Sequence, residues 1–539
     1  MRGSKGGPGL ALVLGLVVWA CAPASASPSV TGATAPAPTN PSPTASIQAA
    51  TASPVAFEPT YEVVGCPEDV VSQSLSDVEC GYLTVLEDRS DPAGATIRLF
   101  TTKTDPPGGT TTPDPAFGGA GNLGADNGPS DDSAGAQRIH RAVYTLDLRG
   151  HDHSGANLDC PEVRAAAPTL AGLRSRDPEH RRQLLEAVTA CRDRLVGEGV
   201  DLAAYDVAAN VGDLEDLRSV LGLSLVNVNA NLNGSRISSE YVRTYPEAVR
   251  AFVMDSPTLA SPETLTVAPA AFDLAIQNLS SLCAAQPACR AQFPDLGAAI
   301  QEATEKLDAD PVTIEVDGTV GAVKAGHPIK VVVDGAAYLR FVRYTLGAGG
   351  GELAAEIVRA TKHALAGTLS TEDALASLLA ADGGTCIGLV PACDSMSLGS
   401  LYSLVCGSMA PSMDQARLDR DIAGRPAYED VFGNGPLVAA CDVWPTGSGA
   451  PTQPAAWPTD VPTLVMRGSL DPYSTPPDDI VGAIGGPRTY VYDVPNQSYN
   501  AFGEVDCPRL IRNAWIDAPD AAPADVSCLD EIAPVDLGG

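Results

Sequence analysis

Basic residues are scarce in this chain of 539 residues: 34 Lys and Arg stand against 66 Asp and Glu, a net charge of −32. They are thinly spread as well, which argues against nucleic acid as a partner, because phosphates demand basic patches. The acidity itself reads as solubility, not as a specific partner. A membrane span needs ~20 apolar residues, and the N-terminal run Leu10–Ala20 has only eleven. No C-x-x-C occurs and no histidine set neighbours the cysteines, so neither a zinc site nor any other metal or cofactor is expected. Histidine is confined to six positions, of which His363 is the last. No internal repeat is visible. Core material is ample at 44% hydrophobic residues, which excludes wholesale disorder.

The N-terminus carries Arg2 and Lys5 and then the apolar run, which suits the core of a secretory signal spanning residues 1–20. Val18-Trp19-Ala20-Cys21 resembles a bacterial lipobox, with Trp19 where a small residue is usual; a plain signal peptide ending near Ala24-Ser25-Ala26 is the alternative. The 13 cysteines are an odd count in an exported chain, and lipidation of Cys21 would account for the extra thiol. The others fall into close successive pairs, Cys66–Cys80, Cys160–Cys191, Cys283–Cys289, Cys386–Cys393, Cys406–Cys441 and Cys507–Cys528. Disulfides are the natural reading in an oxidising compartment, although spacing does not fix connectivity. Residues 22–55 form an uncharged Ser/Thr/Pro/Ala tract, expected to be a disordered tether.

The folded part is expected from about residue 60. Cys80–Leu86 and Thr96–Phe100 alternate like antiparallel edge strands, and Ala142–Asp147 reads as a buried strand after a Gly-rich loop at Phe117–Gly124. Residues 181–194 and 207–221 have helical spacing, with Val211, Leu214, Leu217 and Leu221 on one face. Val226–Arg236, V-N-V-N-A-N-L-N-G-S-R, reads as strand, sharp turn and helix, and strand Ala251–Asp255 follows. Strands alternating with helices imply a mostly parallel sheet with helices on both faces. Residues 268–307 and 350–380 are Ala- and Leu-rich helical segments with a short β-like piece at Val312–Val316, a mostly helical insertion. Strands Thr463–Arg467 and Thr489–Asp493 then resume the sheet, closed by a helix around Leu510–Trp515.

Several landmarks occur together and in order. They include Gly118-Gly-Ala-Gly-Asn-Leu-Gly124, Asp147-Leu-Arg-Gly-His-Asp-His-Ser154 and Leu158-Asp-Cys-Pro-Glu162. Cys191-Arg-Asp-Arg-Leu195, Gly468-Ser-Leu-Asp471-Pro and Cys507-Pro-Arg with Asn513-Ala-Trp515 complete the set. With these, residues 60–530 resemble the secreted actinobacterial tripeptidyl aminopeptidases, α/β-hydrolases of the proline-iminopeptidase type. The resemblance implies a core at 60–257 and 461–535 with a helical cap at 258–460. It also implies a nucleophile on the turn of the strand–turn–helix at Val226–Arg236, in the pattern G-x-S-x-G. Here those five positions are Ala230, Asn231, Leu232, Asn233 and Gly234. Leucine has no atom that attacks a carbonyl. Asp471 matches the acid position and Tyr499 falls at the base position. The backbone N–H groups of Gly118, Gly119 and Asn233 match the oxyanion donors.

The loss of chemistry is also legible without the resemblance. A serine hydroxyl needs an imidazole to take its proton and a carboxylate to orient that imidazole. In this fold the order is Ser, acid, His, and no histidine follows Asp471. Ser235 as a displaced nucleophile is disfavoured by its expected place in the first helical turn, and His151 with His153 reads as a surface pair lacking a further ligand. The expectation is an exported surface lipoprotein that binds a peptide, a small ligand under the cap or a surface protein without hydrolysing it, touching the membrane only through its lipid. An active hydrolase with an unconventional nucleophile or base, and a structural envelope lipoprotein, are the alternatives.

Overall fold

The structure, a computed structural model, describes residues 57–68, 70, 78–106, 112, 114–118, 140–151, 153–231, 234–258, 264–316, 328–348, 353–373, 397–433, 435–445, 456–499 and 501–538. All of these lie in one compact unit, Pro54–Gly539. The first strands are β1 (Thr60–Val64), β2 (Val78–Leu86), β3 (Thr96–Thr104), β4 (Ala116–Phe117), β5 (Val143–Leu146), β6 (Val226–Asn231) and β7 (Val249–Asp255). β8 (Val312–Val316) and β9 (Ile329–Val333) pair only with each other, and β10 (Thr463–Gly468) and β11 (Thr489–Val494) return to the main sheet. Its order is β1-β2-β3-β5-β4-β6-β7-β10-β11. β1, β2 and β3 pair antiparallel with their neighbours, and every pairing from β5 to β11 is parallel.

Among the described residues the helices up to β7 include α1 (Pro161–Leu170), α2 (Pro178–Gly197), α3 (Val207–Val220) and α4 (Gly234–Thr244). Asp177 and Asp206 start α2 and α3 by accepting the N–H groups of Glu179 and Ala209, donors that would otherwise have no partner. β7 explains why both faces are covered. Its alternate residues point to opposite sides: Phe252 and Met254 pack with Leu217, Ile237 and Tyr241 of α3 and α4. Ala251 and Val253 pack instead with Ile511 and Trp515 on the other face. A mostly parallel sheet sandwiched in this way, with β6 and α4, two residues apart in sequence, at its centre, is the α/β-hydrolase fold.

Between β7 and β10 the chain builds α5 (Thr264–Ala285), α6 (Pro287–Gln292), α7 (Leu296–Ala309), α8 (Gly335–Ala348) and α9 (Ala354–Ala366). The shorter α10 (Leu398–Leu404), α11 (Gln415–Ile422) and α12 (Pro436–Ala440) follow. Phe272, Leu279, Ile300, Leu307, Tyr338, Phe341, Val342, Ile357 and Leu418 form a core of their own here. The chain closes with α13 (Pro477–Ile484), α14 (Ala501–Glu504) and α15 (Asp506–Asp517). Among the described residues five disulfides join Cys66 to Cys80, Cys160 to Cys191, Cys283 to Cys289, Cys406 to Cys441 and Cys507 to Cys528. Cys21, Cys386 and Cys393 lie outside the described residues. Among the described residues no helix is long and apolar enough to cross a membrane.

The Asp147–Ser154 loop is architectural. Ser154 Oγ accepts the Phe100 N–H at 2.7 Å and donates to the Asp147 carbonyl at 3.0 Å, tying the loop to β3. The histidines on it are not a surface pair, because the loop folds inward: His151 is 2% exposed and His153 packs on the Phe100 ring at 5.0 Å. Burial lowers the His151 pKa from 6.5 to about 4. The unfolded chain therefore binds this proton more readily between those values, and stability is full above pH 6.5 and falls as pH drops toward 4. For a His151→Gln chain, the stability lost between pH 7.5 and pH 5 should shrink by about 2 kcal/mol, read by urea unfolding. Asp255, raised by burial to about 6, acts in the opposite direction and cancels in the comparison.

Candidate functional site

Ligands of α/β sheets sit at the carboxyl ends of the parallel strands. Here β6 ends at Asn231, β7 at Asp255 and β10 at Gly468, with Asn231 opposite Asp255 and Asp255 opposite Met466. The polar stretch of β6 divides by height along the strand. Asn227, at its start, is tied to Asp114 and Arg250, whereas Asn231 ends the strand toward the site. Leu232 and Asn233, the two residues between β6 and α4, lie outside the described residues, as does Gly119. Gly118 is described, and its N–H donates to the Tyr144 carbonyl at 2.9 Å. That group extends the sheet ladder past β4, so it is not the oxyanion-type donor expected from the Gly-rich loop. Ser235 is fully buried in the first turn of α4. A nucleophile needs access to substrate, so this placement speaks against a displaced catalytic serine.

Asp471 stands three residues past β10 and is completely buried. Its Oδ1 accepts the N–H groups of Tyr473 at 2.8 Å and Ser474 at 3.3 Å, and its Oδ2 accepts the Ser474 hydroxyl. Burial pushes its pKa upward, while these bonds and the Arg467 charge oppose the shift. The loop after β11 is laced to the Asp471 loop. Leu470 N–H donates to the Gln497 carbonyl and Asn496 N–H to Ser469 Oγ, each at 2.9 Å, with Asn496 itself left-handed at φ 59°. Asparagine tolerates that conformation better than most residues. Tyr499 sits half-buried in this loop, near enough to Tyr473 for its charge to act on it.

Two further anchors hold the segment around Tyr499. Ser498 Oγ donates to the carbonyls of Leu346 and Gly347 at the end of α8. Asp255 accepts the N–H groups of Ala501 at 2.8 Å and Phe502 at 3.2 Å, the first turn of α14. A carboxylate there favours a helix N-terminus. Ser256, next to it, is held left-handed at φ 50°, with its N–H on the Met466 carbonyl at 2.7 Å. Asp255, Ser474 and Ser498 were not singled out from sequence; a carboxylate ending a fully apolar strand was the available signal for the first.

Gly468 allows the two loops to meet, because a Cβ there would overlap the backbone carbonyls of Ser498 and Gln497. Gly468→Ala should therefore cost roughly 1–3 kcal/mol, as overpacking does, read as a lowered urea midpoint. Among the described residues no group of three or more His, Cys, Asp and Glu is placed to hold a metal ion.

No family model matches the chain, and neither does any curated protein. Solved structures similar to it have the α/β-hydrolase fold at low identity. Proline iminopeptidase from Mycobacterium smegmatis is 13% identical, over 79% of this chain and 96% of that one, with a TM-score of 0.34. Bromoperoxidase from Bacillus anthracis is 11% identical over 81% and 100%, at 0.32. An esterase from Thermogutta terrifontis is 11% identical over 82% and 99%, also at 0.34. The strand order, not these scores, carries the fold.

Proposed function

We propose that this chain is an exported, lipid-anchored binding protein built on a hydrolase scaffold whose catalytic triad has decayed. One observation carries the reading: leucine stands at the nucleophile position, 232, and no histidine follows Asp471. A nucleophile without a base, or a base without a nucleophile, leaves little chemistry, and here both are gone. Asp471 survives as a buried, hydrogen-bonded brace for its own loop. The ligand is a peptide or small molecule held between the carboxyl ends of the sheet and the helices that follow β7. The disulfides support export, and Cys21 supplies the anchor.

Intact-mass analysis after treatment with a fluorophosphonate, beside a tripeptide-anilide assay, tests this. Neither an adduct nor turnover is expected. An adduct mapping to any serine, with turnover, would mean that the active site has been rebuilt and would refute the reading.

A further inference from the structure

The second half of α8 lies over the Asp471 loop. Gly347 has no side chain, and a Cβ there would overlap the ring of Tyr473. One turn earlier on the same face stands Arg343. Its guanidinium carbon is 4.5 Å from the centre of the Tyr473 ring and 5.1 Å from that of Phe432. Its Nε is buried without a hydrogen-bond partner, and among the described residues no carboxylate pairs with it.

Acids are not in short supply, at 66 against 34 bases. Arg149, Arg194 and Arg425 each take at least one. Asp471, the carboxylate whose charge acts on Arg343, has turned its oxygens onto Ser474 and the Tyr473 N–H, so it acts on Arg343 only through that charge. Guanidinium stays protonated in proteins, so this is a half-buried cation, its Nε fully covered, with no carboxylate bonded to it among the described residues. The two rings stabilise its charge through their faces, but they leave the N–H donors of the fork unused.

We propose that Arg343 anchors the free carboxylate of a ligand lying between α8 and the Asp471 loop. A carboxylate matches the planar fork with two parallel hydrogen bonds. Its single charge balances one arginine, whereas a phosphate dianion this close to Asp471 would require more positive charge. The Tyr473 and Phe432 rings supply apolar walls for the part of the ligand beside the carboxylate. The ligand class is thus a short peptide with a free C-terminus, or an organic acid of similar size. This inference rests on the reading that the site binds without turnover.

The test is calorimetric titration of the full chain with trialanine, N-acetyl-trialanine and trialanine amide. Both acids should bind at least tenfold more tightly than the amide. Arg343→Gln should remove that preference, leaving affinity for the amide unchanged, and Arg343→Lys should keep part of it. The acid–amide comparison in the unsubstituted chain stands even if Arg343→Gln does not fold. Equal affinity for acid and amide, an unchanged preference in Arg343→Gln, or binding of none of the three overturns the assignment. Mass spectra of the same mixtures separate the two ideas. Peptide fragments with the acid preference intact refute the non-hydrolytic reading alone; intact peptides with no preference refute the role of Arg343 alone.

Discussion

Leu232→Ser and Tyr499→His together are expected to raise tripeptide-anilide hydrolysis roughly 10²-fold, a typical contribution of a positioned general base, while each single change stays at background. The two groups act as a unit: an unassisted serine is a poor nucleophile, and an imidazole with nothing to deprotonate does no work. The surroundings of position 499 favour revival. It is bracketed by Ser498, tied to the end of α8, and by Ala501 and Phe502, tied to Asp255. An imidazole placed there would sit on an anchored segment, which orientation-dependent catalysis requires. Asp471 retains capacity to orient it. A carboxylate offers about four lone-pair sites, and the Tyr473 N–H, the Ser474 N–H and the Ser474 hydroxyl occupy three of them. The gain should remain far below that of an evolved triad, because the Gly118 N–H is committed to the Tyr144 carbonyl and cannot serve the oxyanion. Initial rates of the four chains, with the same substrate and pH, decide the matter. Activity from Leu232→Ser alone would expose an unrecognised base.

The frame of the fold was legible because its signals are local. Alternation in Cys80–Leu86, helical spacing in residues 207–221 and the strand–turn–helix around Leu232 each lie within one window of chain. α8 was missed for the opposite reason. Tyr338, Phe341, Val342, Tyr344 and Thr345 lean toward strand, and only their burial against α7 and α9 makes the segment helical. With that helix went Arg343. The site was legible as positions, not as contacts. Asp471 was found from its loop, but Asp255 gains its meaning from amides 246 and 247 residues away, which no spacing rule reaches. His151 was misplaced at the surface because its polarity outweighed the inward fold of the Asp147–Ser154 loop.

Arg149→Met should lower stability by about 3–5 kcal/mol, the usual loss when one partner of a buried ion pair is removed. Arg149 is 1% exposed, and its fork is fully engaged. Two bonds run to Asp213, at 2.6 and 2.9 Å. Three more reach the carbonyls of Glu87 at 2.5 Å, Ala204 at 2.8 Å and Leu86 at 2.9 Å. The residue thereby fastens the end of β2 to α3 and to the turn before it. Methionine would fill much of the volume but leave three carbonyls without this donor and Asp213 with Arg89 as its remaining arginine. Replacing the whole pair by apolar residues, often harmless for an isolated buried pair, should fail here, because the carbonyls and Arg89 would remain. Arg149→Lys should recover less than half the loss, since an ammonium has three donors and no planar fork where five N–H groups are now used. Urea unfolding of the three variants measures this as a drop in midpoint at unchanged slope. A loss below about 1 kcal/mol for Arg149→Met would mean that water replaces the fork and that the Asp147–Ser154 loop does not hold the sheet to α3.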